Sequence, residues 1–99
     1  MKLRILASAR RDLIEGFRFY HKHGEGVGAY FLDSLFSEID SLILNAGAHP
    51  VFFERYHRLV ARRFPFAVYY RVKDRTVQVY AVIDCRRNPA WIRKKLGGL

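Results

Sequence analysis

Residues 56–84, YHRLVARRFPFAVYYRVKDRTVQVYAVID, decide the fold. Their side chains alternate with a period of two, the mark of strands with one apolar and one wet face. From Tyr56 to Arg63, Leu59 and Ala61 point one way, and Arg58, Val60 and Arg62 the other. Phe64-Pro65 starts a second run, in which Phe66, Val68, Tyr70 and Val72 alternate with Ala67, Tyr69 and Arg71. Lys73-Asp74-Arg75 is a hairpin turn. Thr76 to Asp84 forms a third strand, with Val77, Val79, Ala81 and Ile83 expected on the core face. Strands this close in sequence make a meander.

Upstream the period changes. Leu3 to Leu6 is a short apolar strand, and Ser8 stands where a helix N-cap belongs. Ala9, Leu13, Phe17 and Tyr20 then recur at three and four residues, with Arg10, Arg11, Glu15, Arg18 and Lys22 on the wet side. That helix fades near His23-Gly24, and Gly24-Glu25-Gly26 is a turn. A second helix carries one long stripe from Val27 through Phe31, Leu35, Ile39 and Leu42 to Ala46. Gly47 suits its C′ position, and Pro50 blocks continuation. Two helices joined by so short a loop lie antiparallel. Downstream, Asn88-Pro89 opens a short C-terminal helix containing Trp91, Ile92 and Lys95.

The expected architecture is α+β: an N-terminal strand and an antiparallel helical hairpin packed on an antiparallel sheet, in the order β-α-α-β-β-β-α. One sheet face covers the hairpin. The other is left to arginines and tyrosines. The 99 residues make one domain, 1–99, with a modest core. Half the residues are apolar (51%), which excludes disorder.

The net charge of +9 predicts salt-sensitive attraction to an anion: nucleic acid, an acidic protein or an anionic surface. The single cysteine, Cys85, excludes a disulfide and a Cys-rich metal site, and points to a reducing, cytoplasmic setting. No apolar run is long enough for a signal peptide or a bilayer span. His21-x-His23 lacks the four-residue spacing of a zinc helix, so no metal and no cofactor is expected. Cys85, between Asp84 and Arg86, has no partner His placed by sequence and reads as a small strand-end residue. The informative constellation is cationic and aromatic: Arg58, Arg62, Arg63, Tyr69, Arg71, Arg86, Arg87 and Trp91. Such a set suits phosphate contact with base stacking, or pairing with the carboxylates of an acidic peptide. Trp91 serves equally as a stacking platform, a partner anchor or a cover for the sheet edge.

These residues carry a family resemblance. The run HRLVARRFPFAVYYRV (57–72), the turn KDR (73–75), then VQVYAVIDCRRNPAWIRKKL (77–96) resemble the RelE/ParE toxins of bacterial type II toxin–antitoxin (plasmid stabilisation) systems. DLIEGFRFY (12–20) matches the first helix, so the likeness spans nearly the whole chain. The resemblance implies a small basic toxin, causing growth arrest, neutralised by an acidic antitoxin that folds on binding. RelE-like members cut mRNA in the ribosome, whereas ParE-like members inhibit DNA gyrase without a nuclease site. The basic positions of RelE-like nucleases fall here on Arg58, Val60, Ala67 and Arg87. The C-terminal proton-transfer position lies near Trp91, and an indole cannot move a proton. The resemblance therefore implies a ParE-like gyrase inhibitor that is not an enzyme. The alternative is a ribosome-dependent mRNA endonuclease with Arg58 and Arg87 as catalytic residues. Exposed sheet edges leave a homodimer open.

Overall fold

The computed structural model describes residues 1–99. The chain runs β1 (Lys2–Ile5), α1 (Ala7–His21), α2 (Val27–Asp40), α3 (Leu42–Asn45), β2 (Val51–Phe52), β3 (Tyr56–Val60), β4 (Phe66–Lys73), β5 (Thr76–Asp84) and α4 (Pro89–Gly97). The five strands form one sheet in the order β1-β5-β4-β3-β2. β3, β4 and β5 are the expected antiparallel meander, and β1 pairs parallel to β5. The two-residue β2, which pairs antiparallel with β3, is an addition to the expected order. No helix is long and apolar enough to cross a membrane.

The helical hairpin packs on one sheet face. Leu13 of α1 and Phe31, Leu35 and Ile39 of α2 meet Leu59, Val68, Tyr70, Val77, Val79 and Val82 in the larger core. Its end is aromatic. The Phe31 ring lies 4.9 Å from Phe66 and 5.2 Å from Phe64, and Tyr20 stacks on it at 5.1 Å. The single long second helix expected from the stripe is interrupted at Ser41, whose hydroxyl donates to the Glu38 carbonyl at 2.6 Å. That back-bond competes with the helical ladder. Gly47 has φ +88°, the left-handed geometry its C′ position demands, and its N–H donates to the Tyr70 hydroxyl at 3.0 Å.

Two expectations need correction. The second sheet face is not left open: α4 lies across it. Ile92 and Leu96 bury against Tyr56, Ala67, Tyr69, Ala81 and Ile83 in a second, smaller core. Ala81 and Ile83 therefore do not share a face with Val77 and Val79. The cause is a β-bulge, because Tyr70 pairs with Val79 while Tyr69 pairs with Ala81, leaving Tyr80 as an extra residue. One inserted residue inverts which face every later side chain occupies. Simple alternation carried through position 80 cannot see it.

Both tight hairpins place non-glycine residues at left-handed φ. Asp74 and Arg75 (φ +51° and +57°) join β4 to β5, and Phe53 and Glu54 (both +58°) join β2 to β3. Two consecutive left-handed residues make a type I′ turn, which normally selects Asn-Gly. A bulky phenylalanine there costs on the order of 1–3 kcal/mol.

The hairpin closes tightly because two helix faces offer glycine. A Cβ on Gly28 would stand 2.9 Å from the Phe17 carbonyl oxygen, and one on Gly16 would stand 2.4 Å from the buried Phe31 ring. We expect Gly28→Ala to lower stability by about 1–3 kcal/mol through overpacking. That exceeds the roughly 0.5–1 kcal/mol that alanine returns in a helix interior. Urea melts of the two proteins measure the difference, and an unchanged midpoint would show that the helices separate at no cost.

Candidate functional site

β1 stops at Ile5, level with Val79 of β5. Beyond Val79 that side of β5 has no strand to pair with, yet its backbone is buried. Two polar side chains of α1, one turn apart, take the strand's place. The Ser8 hydroxyl donates to the Tyr80 carbonyl at 2.6 Å, and Asp12 Oδ2 accepts the Val82 N–H at 2.9 Å. Ser8 is thus not the N-cap that the sequence suggests. The helix starts at Ala7 after Leu6, with no side-chain cap.

Asp12 is nearly fully buried. Its other oxygen, Oδ1, pairs with Lys95 Nζ of α4. Burial pushes the Asp12 carboxyl above its ordinary 3.8, opposed by the hydrogen bonds from Lys95 and Val82. The pair ties α1, β5 and α4 together. Sequence reading singled out neither residue as functional, although a carboxylate beside the apolar Ala9–Leu13 stripe was an available signal.

Around this pair α1 and α4 bound a cleft of about 260 Å³, whose walls include Phe19, Phe66, Trp91, Glu15, Asp84 and Arg87. Trp91 stands on α4, 39% exposed, with the Arg87 guanidinium 4.3 Å and the Lys95 ammonium 5.5 Å from its ring centre. α4 is opened by Asn88, whose side chain accepts the Ala90 N–H at 2.8 Å, with Pro89 in its first turn. Arg86 faces Asp84 instead, at 2.7 and 3.0 Å. The Arg86 hydrogen bonds hold the Asp84 carboxyl below its ordinary value.

The remaining expected contact residues lie apart from this cleft. Half-buried Arg58 lies over the Phe52 ring at 5.4 Å and reaches Cys85 Sγ at 3.7 Å, while its Nε is buried without a partner. Arg71 lies 6.0 Å from the Tyr80 ring. Arg62 pairs with Glu38 of α2 at 3.1 Å, and Arg63 sits over Tyr30 of α2 at 5.9 Å, so both belong to the hairpin side. Tyr69 is 1% exposed beneath α4 and offers no contact surface, a correction that follows from the covered face. The cations thus form three groups, not one sheet face. Arg58 and Arg87, the two arginines of the nuclease alternative, touch different side chains. No three His, Cys, Asp or Glu side chains gather as metal ligands do.

Residues 3–89 match the family described as ParE toxin of the type II toxin–antitoxin system parDE. The chain belongs to the ParE toxin family. A solved structure, the chromosomal ParDE toxin–antitoxin system from P. aeruginosa, shares the fold, with TM-score 0.78 at 20% identity over 85% of this chain and 95% of that one. No curated protein sequence matches the chain. The family match ends at Pro89, so Trp91 and Lys95 lie past it, on α4.

Asp12→Ala strands the Val82 N–H and should cost about 1–3 kcal/mol, whereas Asp12→Asn keeps an acceptor and should cost less. The acid limb follows from the raised carboxyl. Between pH 3.8 and the higher folded value, the folded state holds a proton that the unfolded state has lost, so this group's contribution falls as pH rises through that window. Asp84, held low, contributes the opposite slope: stability present above 3.8 and lost as pH falls further. Denaturant melts from pH 3 to 7 should therefore show less loss on raising pH for Asp12→Asn than for the parent. An identical profile would remove Asp12 from the account.

Proposed function

We propose that this type II toxin acts by binding DNA gyrase, not by cutting RNA, and that an acidic antitoxin holds it inactive. The observation that carries the reading is the chemistry around Arg87. Its neighbour Trp91 cannot act as a general acid or base, Val60 and Ala67 put aliphatic groups where a nuclease needs cations, and Arg58 touches Phe52 and Cys85 instead. A phosphodiester cleavage wants a group that can move a proton as well as charge to stabilise the transition state.

The +9 charge supports the acidic antitoxin, since long-range attraction speeds encounter with a polyanionic segment. The α1–α4 cleft offers Arg87 beside an exposed indole, a pairing that suits a carboxylate next to an apolar side chain. Cytoplasmic location belongs to the same reading. One observation favours the RNA-cutting alternative: the Arg58 Nε–H, buried without an acceptor, is a donor awaiting one.

Purified toxin should block gyrase supercoiling or trap cleaved DNA, and an added acidic antitoxin should restore activity. Arg87→Ala should weaken antitoxin binding by about 1–3 kcal/mol, the value of a hydrogen bond to a charged group. No effect on gyrase at stoichiometric excess, together with A-site cuts in mRNA on translating ribosomes, would replace this reading with the endonuclease.

A further inference from the structure

A second surface lies away from the α1–α4 cleft, where the β2–β3 turn meets α4. Phe52, Phe53, Glu54, Arg55 and Arg93 line an open shelf of about 650 Å³. Phe53 is 40% exposed, although it sits at the left-handed φ that bulky residues avoid. Its ring stands over the C-terminal end of α4, 3.9 Å from where a Gly97 Cβ would be. Arg55 and Arg93 are exposed, and neither forms an ion pair. Arg58 lies behind the shelf, against the Phe52 ring.

We propose that this shelf binds a single-stranded nucleic acid, with a base stacked on Phe53 and phosphates on Arg55 and Arg93. Three observations converge. An aromatic face is held out to solvent by a backbone conformation that disfavours phenylalanine, and such strain gathers where a side chain serves function. Two unpaired guanidiniums flank it. The α2 segment offers such a ligand no cation of its own, because residues 24–50 carry four carboxylates and no Lys or Arg. Aromatic faces alternating with free cations suit a strand of bases and phosphates better than a row of carboxylates, which has no flat group to stack. Glu54 opposes the ligand, so Glu54→Gln should tighten binding.

The proposal stands independently of the gyrase reading and is tested without gyrase. Fluorescence anisotropy of the full chain with labelled dT15 should show salt-dependent binding. Arg55→Gln and Arg93→Gln should each flatten the plot of log affinity against log salt by about 0.7, one phosphate contact apiece. Phe53→Asn is the decisive variant, because asparagine tolerates the left-handed turn. It should weaken dT15 binding by about 5- to 100-fold while raising the thermal midpoint. Unchanged affinity would overturn the proposal. So would a lowered midpoint with proportionate loss of binding, which makes Phe53 a structural plug for α4. Poly-glutamate binding as tightly as dT15, with the same loss in Phe53→Asn, would assign the shelf to an acidic peptide instead.

Discussion

The structure depends on what replaces a missing strand. β1 is too short to cover β5, and a buried backbone donor left without a partner costs more than any single surface contact returns. Ser8 and Asp12, one helical turn apart on α1, supply the donor and acceptor that a longer β1 would have supplied. A carboxylate in that position brings its own desolvation penalty. Lys95 offsets it from α4, on the far side of the sheet edge. One backbone N–H thus reaches α1, some 70 residues away in sequence, and through Asp12 and Lys95 it also fixes where α4 lies.

That placement shapes the functional surface. With α4 across the second sheet face, Tyr56 of β3 and Tyr69 of β4 become core, and the charged groups are displaced to the rims. The result is a basic protein with separate surfaces: the indole-lined cleft between α1 and α4, the shelf at the β2–β3 turn, and the arginines beside α2. A ParE-family toxin meets more than one macromolecule if it is both active and neutralised, and separate surfaces permit separate partners.

Much of this fold was legible in the sequence, because the hairpin stripe and the period-two runs are strong local signals. β5 has the expected bounds, and the Phe31–Leu35–Ile39 stripe is the buried one. What escaped was non-local. The bulge at Tyr80 leaves no mark in composition, so period-two alternation puts Ala81 and Ile83 on the wrong face. Ser8 fits a cap by type, and only the position of β5 reveals its true partner. Asp12 looks like an ordinary helix carboxylate until Val82 and Lys95 are brought beside it. The Arg and Trp residues of the candidate site were visible as residue types. Their division among three surfaces was not, because α4 decides it through tertiary contact.

The manner in which the arginines are held has a consequence for binding. Arg58, Arg63, Arg71 and Arg87 lie over aromatic rings, whereas Arg62 and Arg86 are neutralised by carboxylates. A ring restrains a guanidinium without cancelling its charge. An incoming anion therefore displaces no resident counter-charge, and part of the rotamer entropy normally lost on docking has been surrendered during folding. The rings act as racks that keep cations loaded and aimed, so association is favoured at the moment of contact as well as at long range.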